Sequence, residues 1–152
     1  MNTISYRPLH PQGFLDLTLA DIHGFFVAPF SGSLQRPLLA QNLVRYIQLL
    51  GAILTPHSVS FEVWIDGSFC TDKVDPNDVD ILVCCSGSEF NAIPAVDQQA
   101  FIALIDNQAA KVNFSIDVYF CPNENIQNRS YWRGWFLFDR NENPKGIARV
   151  AI

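Results

Sequence analysis

Two aspartates separated by one residue inside an apolar strand constrain this chain more than any other feature. In DVDILVCC, Val79, Ile81 and Val83 alternate with Asp80, Leu82 and Cys84, the period-two pattern of a β-strand, so Asp78 and Asp80 leave the strand on one face. Their Cβ atoms then stand about 7 Å apart. Like charges on a half-buried face repel, and each loses hydration. A fold that keeps both has to compensate them, and a divalent cation with oxygen ligands does so: Mg²⁺, or Mn²⁺ in its place, takes one or two carboxylates together with water and substrate phosphates.

The flanking segments supply the rest of a site. SFEVWID alternates Phe61, Val63 and Ile65 with Ser60, Glu62, Trp64 and Asp66, and reads as a preceding strand. Gly67-Ser68 follows it. A glycine lets the backbone approach a phosphate closely, and a serine hydroxyl with turn N–H groups donates to phosphate oxygens. Asp75-Pro76-Asn77 marks the loop into the Asp78/Asp80 strand. In FSIDVYF, Phe114, Ile116, Val118 and Phe120 share one face and Ser115, Asp117 and Tyr119 the other, so Asp117 becomes a third acid if the two strands are neighbours.

Helical spacing appears in PLLAQNLVRYIQLLGAIL, with Pro37 in the first turn and Leu39, Leu43, Tyr46, Ile47 and Leu50 on one stripe. DQQAFIALIDNQAA reads as a second amphipathic helix. Residues 1–36 read as an arm carrying one short helix, capped by Thr18, and YWRGWFLFDRNENPKGIARVAI as a C-terminal hairpin turning at NENPKG. The expectation is one α+β (α/β) domain over residues 1–152, a mixed sheet covered by helices on one face.

At 152 residues and 49% hydrophobic content the chain can bury a core. A formal charge of −5 with 16% charged residues argues against non-specific DNA binding, which needs Lys and Arg against phosphates. Cys70, Cys84, Cys85 and Cys121 have no metal-ligand spacing and read as reduced core thiols; no apolar run spans a membrane and no secretion pattern opens the chain, which points to the cytoplasm. Asp66, Asp72 and Asp75 read as turn or solvent residues, and Ser86-Gly87-Ser88 as a plain connection. Lys73, Arg129, Arg133 and Lys145 are the candidate phosphate cations, with Lys145 foremost because Pro144 and Gly146 hold it in a tight turn. Tyr131, Trp132, Trp135, Phe136 and Phe138 fill core, cover a partner or stack a base. His10, His23 and His57 are scattered without zinc or triad spacing.

Gly67-Ser68, nine further residues, then Asp78-Val79-Asp80-Ile81, with Asp117 on a later strand, resembles the signature of the DNA polymerase beta-like nucleotidyltransferase superfamily. DGSFCTDKVDPNDVDILV, DVYF and PKGIARV together resemble a small bacterial branch of uncharacterised nucleotidyltransferase-like domains. The resemblance runs from about Phe61 to the end. It implies metal ligation by Asp78 and Asp80 with Asp117 as third acid, nucleotide contact by Gly67 and Ser68, and transfer of a nucleoside monophosphate from an NTP such as ATP to a protein or RNA hydroxyl. The superfamily includes antitoxin-type enzymes that modify a partner protein and toxin-type enzymes that modify RNA, so a cognate toxin or antitoxin is an implied partner. The rival readings are an inactive nucleotidyltransferase-fold binding module and a structural domain with incidental acids.

Overall fold

The computed structural model describes residues 6–138 and 144–152. Five strands form a single sheet: β1 (Phe14–Leu17), β2 (Phe61–Asp66), β3 (Val79–Cys85), β4 (Ile116–Pro122) and β5 (Ile147–Ala151), in the order β1-β5-β2-β3-β4. β2 is antiparallel to both β3 and β5, whereas β1–β5 and β3–β4 are parallel pairs. The helices are α1 (Asp21–Phe26), α2 (Gln35–Leu54), α3 (Gly87–Asn91), α4 (Ala95–Leu104), α5 (Asn107–Phe114) and α6 (Ile126–Leu137). The fold class is therefore the mixed α+β sheet that the alternation of periods predicts.

The sheet's two faces are unequal. Phe61, Val63, Ile65, Val79, Ile81, Val83, Ile116 and Val118 point into the larger core, where they meet Leu39, Leu43, Tyr46, Ile47 and Leu50 of α2 and Phe101 of α4. α2, with the turn after it, is long and apolar enough to cross a membrane by length and composition, yet its apolar stripe is buried on the sheet. The other face holds a smaller cluster of Trp64, Leu82, Cys84, Cys121, Ile147 and Phe136. Phe136 belongs to α6, so helices cover both faces, unequally, where one covered face was expected.

Four sequence expectations need correction. The C-terminal hairpin is absent from the described residues: Tyr131–Leu137 is the end of α6, and only an isolated bridge between Phe138 and Pro144 remains of the pairing, while part of the NENPKG turn lies outside the described residues. Alternating Trp and Phe look strand-like, but Asn125 accepts a hydrogen bond from Asn128 N (3.0 Å) and starts a helix, and packing of Trp132 and Phe136 on the sheet holds it. DQQAFIALIDNQAA is two helices, because Asp106 accepts from Ala109 N (2.9 Å) and begins α5; α5 then takes in Phe114 and ends at Ser115, φ 56°. The arm contains an unforeseen strand, β1, and Thr18 does not cap α1: its hydroxyl and N–H both donate to Asp21 (2.9 Å). Asp66 is a buried residue of β2, not a solvent residue.

Candidate active site

Strand register brings the acids together. Asp66 pairs with Asp80 across β2–β3, and Asp80 pairs with Asp117 across β3–β4, so three carboxylates stand in one row on the face opposite the main helical layer. Side chains directly opposite one another have Cβ atoms about 5 Å apart, a spacing at which like charges destabilise a sheet. The row answers that repulsion in two ways. Lys145 lies 2.6 Å from Asp66 Oδ1 and 2.8 Å from Oδ2, with its hydrogen bond directed at Oδ2. Burial raises the Asp66 carboxyl, and the Lys145 ammonium and the Gly67 N–H oppose it. Among the described residues Asp80 has no such cation. Burial, then the charges of Asp78, Asp117 and Asp66 and a hydrogen bond shared with Asp117, push its carboxyl up to about 7.

Asp78 stands just before β3, outside the row, half-buried and 3.9 Å from Lys111 Nζ. On β4, Tyr119 follows Asp117 on the same face; its phenol is raised by burial, then by the charges of Asp117 and Asp80 and a hydrogen bond with Asp117.

Gly67 explains the link between the small-residue pair and the acids. Its φ of +79° and ψ of −167° are closed to L side chains, and a Cβ built there would overlap an Asp80 carboxylate oxygen and lie 3.0 Å from its Cγ. The backbone at Gly67 therefore runs against the Asp80 carboxylate. Ser68 then opens a 3₁₀ turn, in which Cys70 N donates to Gly67 O (3.0 Å) and Thr71 N to Ser68 O (3.1 Å). Among the described residues none accepts a hydrogen bond from the Ser68 hydroxyl.

The turn is held from behind by a residue that the motif reading missed. Arg36, fully buried near the start of α2, donates to Phe69 O (2.9 Å), Thr71 O (2.6 Å), Lys73 O (2.7 and 3.1 Å) and Phe26 O (2.9 Å), and its guanidinium lies 3.7 Å over the Phe30 ring. A signal was present: Arg36 stands three and seven residues before Leu39 and Leu43, on the apolar stripe. Asp75 closes the same region by accepting from Ser33 Oγ, Leu34 N and Gln35 N at the start of α2, so it is an exposed loop residue with a capping task. The arm joins both sides of the site: Leu9 N donates to Cys70 O (2.9 Å), and His10 O accepts from Gly146 N (2.7 Å), beside Lys145.

Of the candidate cations, Lys145 alone is paired with the acid row. Lys73 lies over the Tyr6 ring, and Arg129 is bonded to Glu62 (2.9 Å) and Asn123 (2.7 Å). Arg129, Arg133 and Arg149 line a cavity of about 230 Å³ with Phe14, Trp64, Ile126 and Ser130, between α6 and the β1–β5–β2 side of the same face. Glu124, from the β4–α6 loop, accepts from Ser86 and Gly87 at the start of α3, and those bonds hold its carboxyl down at about 2. The four cysteines are buried and free.

Among the described residues no three His, Cys, Asp or Glu side chains are already gathered as a metal-ligand cluster. The donor chemistry nevertheless fits a hard divalent cation: Asp78, Asp80 and Asp117 offer oxygen ligands only, and Asp80 is crowded by the like charges of Asp78, Asp117 and Asp66, which a cation would offset.

The fold and this face define a small α+β domain with an acidic row beside a glycine-dependent turn. The chain belongs to DUF6932, a family of unknown function whose pattern matches residues 3–151. No curated protein and no solved structure matches it.

Proposed function

We propose that this chain is a metal-dependent nucleotidyltransferase that moves a nucleoside monophosphate from an NTP to a hydroxyl of a protein or RNA acceptor. The observation that carries the reading is the packing of Gly67 against Asp80 within a row that also holds Asp66 and Asp117. A phosphate-binding turn and a carboxylate group are useful together only where both meet one ligand, and a metal-bound triphosphate is such a ligand.

Asp78, Asp80 and Asp117 are the residues to hold Mg²⁺ or Mn²⁺, which when bound neutralises phosphate charge and lowers the pKa of a bound hydroxyl. The Ser68 hydroxyl and the close backbone approach at Gly67 receive the triphosphate, with Lys145 as the nearby cation of the row. The acceptor oxygen forms a bond to the α-phosphorus, the bond from that phosphorus to the bridging oxygen breaks, and pyrophosphate leaves. The hydroxyl proton passes to a carboxylate, for which Asp117 is the candidate. A cytoplasmic location agrees with four unpaired thiols.

The reading is tested by incubating the protein with labelled ATP, CTP, GTP and UTP, Mg²⁺, and protein and RNA acceptors. Transfer that disappears in Asp78→Ala/Asp80→Ala supports it; no transfer, or equal transfer by that variant, rejects it. One observation favours an inactive binding module of a toxin–antitoxin or defence pair: Lys145 already occupies Asp66. Calorimetry separates the two, because the enzyme binds Mg²⁺–NTP and the module is silent.

A further inference from the structure

We infer that the acceptor hydroxyl of the proposed reaction is the phenol of Tyr119 in the same chain, so that the protein nucleotidylates itself once and then stops. The inference deepens the nucleotidyltransferase reading and rests on it.

Three observations support it. The first is position. β4 alternates, so Tyr119 leaves the sheet on the face of Asp117, and Asp117 is the register partner of Asp80. Among the described strands Tyr119 is the one hydroxyl-bearing residue: no Ser, Thr or other Tyr lies in β1, β2, β3 or β5. The second is its partner. The phenol is hydrogen-bonded to Asp117 and lies within the field of Asp80 and Asp78. It therefore stands where an acceptor hydroxyl has to stand, within reach of the carboxylate that takes its proton. An outside hydroxyl would first have to displace it.

The third observation is support combined with access. The Tyr119 ring leans on Trp132 of α6, 4.8 Å between centres and 36° between planes, and Trp132 meets the buried Phe136 at 6.1 Å. The smaller core thus holds the ring, while Tyr119 stays 36% exposed and open to a ligand at the row. The other phenols lack this combination. Tyr46 is buried on the opposite face and donates to Leu104 O (2.6 Å), Tyr6 lies under Lys73 in the arm, and Tyr131 sits on α6 against Trp132 and Trp135. A nucleophile already seated beside its base reacts as a unimolecular partner, an advantage of several orders of magnitude over a free acceptor.

In the step, the Tyr119 oxygen forms a bond to the α-phosphorus of the NTP, and the bond from that phosphorus to the oxygen bridging to the β-phosphorus breaks. Pyrophosphate leaves, and the phenol proton passes to Asp117. The product is a phosphodiester between Tyr119 and the nucleoside. It covers the acid row and leaves no seat for a second NTP, hence the single turnover.

The test is incubation of the protein with Mg²⁺ and each labelled NTP, without added acceptor, followed by intact mass and peptide mapping. One nucleoside monophosphate per chain, on Tyr119, is expected, with a rate constant equal at low and high protein concentration. Tyr119→Phe, which keeps the ring on Trp132, is expected to lose the label, and Tyr131→Phe to keep it. O-acetylation by N-acetylimidazole supplies a readout that needs no turnover. Mg²⁺ with a non-hydrolysable NTP at about ten times its Kd should slow acetylation of Tyr119 about tenfold and leave Tyr131 unchanged. Label on another residue, equal labelling of Tyr119→Phe, or a rate constant that rises with protein concentration overturns the inference. So does acetylation of Tyr119 that is indifferent to a nucleotide shown by calorimetry to be bound. Transfer to an added protein or RNA with none to Tyr119 overturns it and keeps the enzymatic reading; no transfer to any acceptor rejects both.

Discussion

Replacing Asp80 by Asn should stabilise the metal-free protein, and by an amount that depends on pH in a defined way. The Asp80 carboxyl titrates at about 7 in place of 3.8 because it is buried among Asp78, Asp117 and Asp66. Holding it ionised above that value costs about 4 kcal/mol at ~1.4 kcal/mol per pH unit. Side-chain relaxation and water entry lower such figures, and a net gain of about 2 kcal/mol is expected for the neutral amide. Below pH ~4 the carboxyl is protonated in folded and unfolded chains alike, and the substitution is neutral. From about 4 to 7 the unfolded chain ionises while the folded one keeps its proton, so wild type loses stability with rising pH; above about 7 the loss levels off. At roughly 2–4 °C per kcal/mol for a domain of this size, melting curves in EDTA should show Asp80→Asn ahead by roughly 4–8 °C at pH 8 and level near pH 4. Added Mg²⁺ should raise the wild-type Tm and leave the variant where it was. Equal melting temperatures across the range, or a variant less stable at pH 8, would refute the claim that the acid row is mutually repulsive without a cation.

Three further predictions concern the parts that frame the row. Gly67→Ala should cost at least about 2 kcal/mol, from the positive φ and the overlap with Asp80, and adding Asp80→Ala should recover only the overlap, as read by urea denaturation. Lys145→Met, which strands a buried Asp66, should destabilise by about 3–5 kcal/mol, and Asp66→Asn/Lys145→Met should restore most of that; an additive double-mutant cycle would show that the pair is not coupled. Arg36→Met removes five guanidinium hydrogen bonds to four backbone carbonyls and should cost about 3 kcal/mol or more, with faster amide exchange across Gly67–Lys73; Arg36→Lys should not rescue it, since an ammonium cannot span those carbonyls.

Much of the site could be read from period and spacing. Asp80 and Asp117 share a face because β3 and β4 alternate strictly, and parallel pairing then puts them side by side. Asp66 was legible by the same parity, being on the face of Glu62 and Trp64, but its place next to Gly67 suggested a turn. What local sequence does not carry is long-range partnership. Lys145 meets Asp66 across 79 residues, and Arg36 meets the Ser68–Lys73 turn across more than thirty. β1 is four residues long and exists only because β5 offers an edge. α6 went unrecognised because its Trp and Phe residues favour strands on propensity, while the sheet face beneath Trp132 and Phe136 rewards a helix.

The most direct measurement is anomalous diffraction from crystals soaked with Mn²⁺ and a non-hydrolysable NTP. A Mn²⁺ peak among Asp78, Asp80 and Asp117, with the triphosphate against Gly67 and Ser68, is the predicted result. Lys145 still on Asp66, with no metal at the row and no nucleotide at the turn, would contradict the account.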